Sequence, residues 1–347
     1  MKHPKSRIAG AAQTVGLRKV AAIAGVSTAT VSRAMNNPER VSPELRERVA
    51  SVVRHLGWIP HGTARALATR RTNTIGAVFP AFTHGDFGGT IDGLQSEFSK
   101  RDYTLLLARC DYDYNQEFHQ IRKFVERGVD AVLMVGEEHH HELAEFLART
   151  GTPHLNMYVY NAQKPGTSIG PDNHKALVRL TRYLIGLGHR RFGVIAQNTT
   201  ANDRARARVQ GIRDALAEHG LAVRPEHFGL GGNSIHEGRE LFRRIVDHAP
   251  QPTAIICGNG YLAVGAMLES QAQGIRVPDA MSIAGWDDIE IMTELPIPIT
   301  TIRVQAEEVG RRVGRRIIAL VEGQQEVTEF ECQAEILVRA STGPAPG

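Results

Sequence analysis

The sequence predicts an α/β core of two doubly wound parallel-sheet lobes behind an N-terminal all-α head. Three observations carry this. From Thr74 onward, short apolar runs alternate with helical stretches, the pattern of repeated strand–helix units that build parallel sheets covered on both faces. The units are too many for one small sheet, and the series restarts at about residues 172–192. Before Thr74 the apolar spacing is helical, and the charge differs. Residues 1–71 hold thirteen Lys and Arg against Glu39, Glu44 and Glu47, a net +10, whereas the remainder is net −6. A basic head on an acidic body points to a polyanion partner for the head alone.

The 347 residues suffice for roughly two domains with a sizeable core. No apolar run approaches the roughly 20 residues of a membrane span, so no membrane partner is expected. The start, MKHPKSRIAG, is basic but no apolar segment follows it, unlike a secretory signal. Cys110, Cys257 and Cys332 are odd in number and widely spaced, which argues against a disulfide framework or zinc module and suits a reducing, cytoplasmic location.

Residues 1–13 read as a tail whose Lys2, Lys5 and Arg7 can touch phosphates. Leu17 to Ala24 has helical spacing, with Leu17, Val20, Ala21 and Ala24 on one face. Gly25-Val26 breaks it, because glycine turns the backbone at no steric cost. Ser27 is a good N-cap for a second helix, Thr28 to Asn36, packed back through Val31 and either Ala34 or Met35. Its outward face carries Ser27, Thr28, Ala29, Thr30 and Arg33, short or cationic side chains that suit a helix in the major groove. Arg18, Lys19 and Asn36 complete the candidate contacts. After the loop NNPERVS, Ser42 caps and Pro43 opens a third helix to about Leu56, with the stripe Leu45, Val49, Val52 and Leu56 closing a three-helix core. An ordinary helical hairpin has the same periodicity.

The wording separates the two. AGVSTATVSRAMN resembles the helix-turn-helix signature of the LacI/GalR family of bacterial transcription regulators. Gly16 and Lys19 stand where that family usually has Thr and Asp. The resemblance divides the chain into a DNA-binding head, 1–60, a hinge helix or linker, 61–72, and an effector-binding and dimerisation core, 73–347. It implies that ARALATR is a hinge helix that folds on DNA, with Leu67 as the minor-groove wedge and Arg65 beside it; His61 replaces the usual Asn. An apolar wedge costs unstacking energy and opens a bent groove.

In the core, strands are expected at Ile75–Phe79, Thr104–Ala108, Ala131–Val135, His154–Tyr158, Phe192–Ala196, Ala254–Cys257 and Ser282–Ala284. Helices are expected near Gly89–Arg101, Gln116–Arg127, Glu142–Arg149, Lys175–Leu187, Arg206–His219, His236–His248 and Leu262–Gln273. The resemblance implies a core similar to periplasmic binding proteins, crossing between lobes three times, near 168–172, 293–299 and 323–328. The first lobe is then about 73–170 plus 298–325 and the second about 171–297 plus 326–342. Ligands of such folds bind in the cleft at the strand C-terminal ends.

DRARARVQGIRDAL resembles the family's RxxG stretch, implying Arg208 as the contact to a polar effector group, with Arg191, Arg204, Arg206 and Arg213 as neighbouring alternatives. CGNGYLAVGAM places Asn259 in a ligand motif, with Gly260 for the usual Asp, and SIAGWDDIE implies Asp287 as the hydroxyl acceptor. Carboxylates and amides bind sugar hydroxyls, and an Arg fork binds a carboxylate, phosphate or ring oxygen. Helix capping is the competing role for Asn259 and Asp287, a surface ion pair for Arg208. In the first lobe, FPAFTHGDFGGTIDGL offers Phe82, His84, Asp86 and Phe87 as cleft candidates. Asn233 stands where relatives often carry a cleft aromatic, which points away from an ordinary hexose.

EEHHHE at 137–142 lacks the i, i+4 spacing of helix metal ligands and reads as a solvated helix start. GDFGG lacks the strand–GxGxxG–helix order of a dinucleotide site, and no nucleophile with a paired base is found. No catalytic residue, cofactor or metal is expected. The sequence thus predicts a cytoplasmic, homodimeric regulator, most simply a repressor, reading a palindromic double-stranded operator under control of a small polar metabolite such as a sugar or sugar acid. An exported solute-binding protein would lack the basic head, and a Rossmann-like sugar or nucleotide enzyme would need a catalytic constellation. STGPAPG carries no heptad segment, so no tetramerising tail is expected.

Overall fold

The computed structural model describes residues 16–58, 71–82, 87–164, 166–324 and 330–347. The chain divides into two units at Thr72/Asn73. The hinge 61–72, with Arg65 and Leu67, falls almost wholly outside the described residues, as does His84.

The head is built from α1 (Leu17–Ala24), α2 (Thr28–Asn36) and α3 (Pro43–Leu56). Gly16 precedes α1 with no side-chain cap. Gly25 turns the chain at φ 64°, a left-handed conformation that favours glycine. Ser27 Oγ then accepts from Thr30 N at 3.1 Å, and Ser42 Oγ from Leu45 N at 3.4 Å. Val20, Ala21, Ala24, Val31, Ala34, Val49 and Trp58 form the core. Ala34 rather than Met35 faces inward.

The first lobe contains β1 (Thr74–Phe79), α4 (Phe87–Lys100), β2 (Thr104–Arg109), α5 (Tyr114–Glu126), β3 (Ala131–Val135), α6 (Leu143–Thr150), β4 (His154–Met157) and β5 (Ser168–Ile169). Its five strands are ordered β2-β1-β3-β4-β5 and all pair in parallel. The second lobe contains α7 (Asn173–Gly186), β6 (Phe192–Gln197), α8 (Asp203–Ala217), β7 (Phe228–Gly231), α9 (Ile235–Val246), β8 (Ala254–Cys257), α10 (Gly260–Ala272), β9 (Ser282–Trp286), α11 (Ile291–Glu294) and β10 (Thr300–Val304). With the late strand β11 (Ala334–Leu337) its order is β11-β10-β9-β8-β6-β7, and only β10–β11 is antiparallel.

The second crossing differs from the expectation. The sequence resemblance implies a crossing near 293–299, with 298–325 in the first lobe. β10 instead pairs with β9 in the register Thr300↔Ala284 to Ile302↔Trp286, so the chain is still in the second lobe there. It leaves after Val304. The following helix, α12 (Ala306–Glu322), packs on α4 of the first lobe. The third expected crossing, 323–328, falls mostly on residues outside the described set; after it, Glu331 forms a parallel bridge with Gly170.

The α4–α12 contact is closed by glycines. A Cβ on Gly310 would lie 2.2 Å from Thr90 O, and one on Gly93 would lie 2.1 Å from Glu307 O. Because the obstacles are backbone atoms, the helices would have to separate. Gly310→Ala is expected to cost about 1–3 kcal/mol, comparable with overpacking a core. Gly186→Ala is the control: its Cβ meets nothing within 4 Å, so the thermal midpoint should hold or rise while that of Gly310→Ala falls. Equal midpoints for the two variants would show that the helices yield freely.

Candidate functional site

Two sites follow from this architecture, one in each unit. On the head, Arg18 and Lys19 of α1 and Ser27, Thr28, Ala29 and Arg33 around α2 are exposed, and Thr30 is half-buried. Ser27 and Thr30 also bond to each other through their hydroxyls at 2.8 Å, so the capping serine is held in place. Asn36 ends α2. The result is a helix with a short-side-chain face and one exposed guanidinium, while its apolar face is buried in the head.

In the core, a narrow cleft opens where the strands of both lobes end. Phe87, Tyr112, Tyr158 and Asn173 line it from the first lobe and the first crossing, and Gln197, Asn202, Arg204, Arg208, Asn233, Asn259, Trp286 and Asp287 from the second. Phe87 is buried, its ring edge-on to Tyr158 at 5.1 Å. Tyr112, Tyr158 and Asp287 all have positive φ, 59°, 65° and 67°. The turns leaving β2, β4 and β9 are thus bent to aim these side chains inward, at some backbone cost.

Arg208 is buried. Its Nη1 donates to Gly258 O at 2.8 Å, and its guanidinium lies 4.5 Å from the Trp286 ring centroid. Burial pulls its pKa down to about 10, still cationic at neutral pH, and Asp287 opposes that fall. Burial also lifts the Asp287 carboxyl to about 6, against the lowering effects of the Arg208 charge and of hydrogen bonds from Gly260 N–H and Trp286. A carboxyl raised on folding contributes stability below its unfolded value near 3.8 and loses it as pH rises through about 6. Ligand recognition runs the other way. A ligand donating to the Asp287 carboxylate is expected to bind progressively more weakly below pH 6, as titration from pH 7.5 to 5 would measure. A flat profile would remove the carboxylate from recognition.

The other arginines near Arg208 are engaged elsewhere. Arg204 Nη1 reaches across to Val135 O at 3.0 Å and pairs with Asp203 at 2.8 Å. Asp203 also accepts from Glu137 N at 2.6 Å, Arg206 pairs with Glu138, Arg213 covers Phe228 and Arg191 donates to Gln251 O. Asn259 has the capping role, its Oδ1 accepting from Leu262 N at 2.8 Å, and its side chain also lines the cavity.

Two expectations need correction. Phe82 does not line the cavity; its side chain is exposed, with its ring 6.4 Å from Phe79. The 137–142 run leads into α6, which begins at Leu143 with Glu142 as its N-cap, but it is solvated only in part: His139 is mostly covered, with Nδ1 2.9 Å from Glu117 and Nε2 3.2 Å from Asn156. His140 stacks on Phe118, and His141 alone of the three is exposed. Among the described residues, no group of three or more His, Cys, Asp or Glu could hold a metal ion, and no helix is long and apolar enough to cross a membrane. Sequence reasoning missed Tyr112, Tyr158, Asn173, Gln197 and Asn202 as lining residues, and offered Arg204 only as an alternative to Arg208. Their common signal is position, at or just after strand C-terminal ends.

A helix-turn-helix head joined to a two-lobed core with a polar cleft defines a ligand-responsive DNA-binding regulator. The chain belongs to the LacI family. Residues 16–61 match the description "Bacterial regulatory proteins, lacI family", and residues 181–342 match "Periplasmic binding protein-like domain". The chain is 31% identical to the HTH-type transcriptional repressor PurR of Vibrio campbellii, over 93% of this chain and 97% of that one. It is 28% identical to the HTH-type transcriptional repressor CytR of Escherichia coli K12 over the whole of both. The lac repressor dimer bound to operator and the anti-inducer ONPF shares the fold, with TM-score 0.84, 23% identity and coverage of 95% and 100%. The protein is a DNA-binding transcriptional repressor of this family and not an enzyme.

Proposed function

We propose that this repressor binds a two-fold symmetric operator as a homodimer and is controlled by a small polar metabolite, of the sugar or sugar-acid class, in the inter-lobe cleft. The observation that carries the reading is the convergence of Arg208, Asp287 and five amide side chains on one cavity at the strand C-terminal ends. Ser27, Thr28, Ala29, Thr30 and Arg33 read base edges in the major groove, and Arg18, Lys19 and Asn36 position the head on phosphates. Leu67 enters the minor groove between half-sites, with Arg65 beside it.

Dimerisation uses the open edges of the two sheets. β2 and β7 are edge strands, and each leaves a leucine, Leu107 and Leu230, exposed over nearly half its surface. Asp203, Arg204 and Arg206 of the second lobe already grip the end of β3 and the segment after it in the first. Ligand in the cleft therefore acts on a contact between lobes, and a change in closure is transmitted to operator affinity.

The test is selection of bound duplexes from a random library by the purified protein at near-physiological salt, followed by titration of candidate metabolites against the selected duplex. A palindrome with an easily kinked central step is the expected product. Enrichment of no sequence, with and without a metabolite extract, would overturn the operator reading.

A further inference from the structure

The amides of the cavity are not free to choose which end they present. The backbone N–H of Leu262 can only donate, so the Asn259 atom 2.8 Å from it is the carbonyl oxygen. The Asn259 NH₂ is then the group 2.7 Å from Asn233, and Asn233 must meet it with Oδ1. That same oxygen accepts from Gln197 Nε2. The relay from Leu262 thus fixes both outer groups: Asn233 is left with its NH₂ and Gln197 with its carbonyl oxygen. Both residues line the cavity; neither outer group has a partner among the described residues, and neither is sealed from solvent.

The other amides are fixed in the same way. Asn202 Oδ1 caps α8 by accepting from Ala205 N at 3.1 Å, which leaves its NH₂. Asn173 Nδ2 donates to Tyr158 O at 2.9 Å and Pro171 O at 3.3 Å, which leaves its oxygen. Donors and acceptors are therefore balanced. So are the charges: Arg204 is paired with Asp203, and Arg208 shares the cavity with Asp287. A carboxylate or phosphate would bring a charge with no countercharge into a partly dehydrated site, which is unfavourable.

We propose that Asn233 and Gln197 set effector specificity, presenting a fixed donor and a neighbouring fixed acceptor that select an uncharged ligand edge with an acceptor beside a donor, such as adjacent hydroxyls of a neutral sugar or nucleoside. The proposal rests on the effector-cleft reading and narrows it, against the sugar acids.

Calorimetry on the full-length protein with matched pairs tests this: aldoses against their aldonates, and nucleosides against their 5′-monophosphates. The tightest ligand is expected to be uncharged, with its anionic counterpart at least about 100-fold weaker. Asn233→Asp keeps the oxygen that accepts from Gln197 and Asn259 and replaces only the NH₂. It is expected to weaken that ligand by about 10- to 100-fold, with thermal midpoint and operator affinity held. Should that variant unfold, Asn233→Leu, of similar volume, removes the donor, and with it the oxygen that orients Gln197, without adding charge. A purely structural asparagine would leave selectivity untouched, so the deciding readout is discrimination against the mono-deoxy analogue, strong in the wild type and lost in the variant. Tighter binding of an anionic member, binding of no member, or unchanged discrimination would overturn the proposal. An anionic ligand that still alters operator affinity would leave the regulator reading standing, whereas an uncharged ligand bound as expected with no effect on operator affinity would remove only that reading.

Discussion

Arg208→Ala is expected to abolish the effector response while leaving effector-free operator binding within about twofold of wild type. The guanidinium is buried, donates to Gly258 O, rests on the Trp286 face and supplies the positive charge opposite Asp287. Its loss removes charge-assisted bonds worth roughly 1.5–3 kcal/mol each. It also removes the nearby positive charge that holds down the pKa of the Asp287 carboxyl. Together these predict at least about a 100-fold loss of effector affinity, since each 1.4 kcal/mol is tenfold. Arg206→Ala provides the contrast: Arg206 pairs with Glu138 and does not line the cavity, so its loss should leave ligand contacts in place. Operator release by effector at wild-type concentrations in Arg208→Ala would remove this residue from recognition.

Leu67→Ala is the second large effect. If Leu67 is the wedge, removing it sacrifices the contact that offsets unstacking of the central step, and specific binding should fall by about 100-fold or more. Nonspecific affinity rests on phosphate neutralisation by Lys and Arg and should change little. The measurement is the ratio of operator to random-duplex affinity at one salt concentration. Equal losses on both would show that the residue contributes only general contact. Arg33→Ala should differ in kind, costing about 1–3 kcal/mol and relaxing preference at one base pair.

The chain settled much of this at the level of sequence, because the relevant physics is local. Gly25 permits the left-handed turn, Ser27 caps α2, and apolar residues three and four apart define the head core. Ala131–Val135 and Ala254–Cys257 were read to the residue, because buried parallel strands are uninterrupted apolar runs. Arg208, Asn259 and Asp287 stood out through family wording and are found lining one cavity. The short strands β5 and β7, with sequences SI and FGLG, carry too little pattern to be seen alone.

What only the tertiary structure decided depends on residues far apart in the chain. β10 joins the second lobe because its edge fits β9, which no local pattern reveals, and this moved the second crossing to Gln305. His139 is mostly covered because Glu117 and Asn156, 22 and 17 positions away, meet it with complementary atoms. Among the five arginines, Arg204 and Arg206 are drawn to partners across the cleft and Arg191 and Arg213 to partners in their own lobe, while Arg208 lies beside Asp287 in the cavity. The polarity of Asn233 was likewise set by a relay that begins at one backbone N–H in α10. Sequence fixes the kinds of groups and their local geometry, whereas the direction in which each amide or charge is spent is set by the partners that folding brings to it.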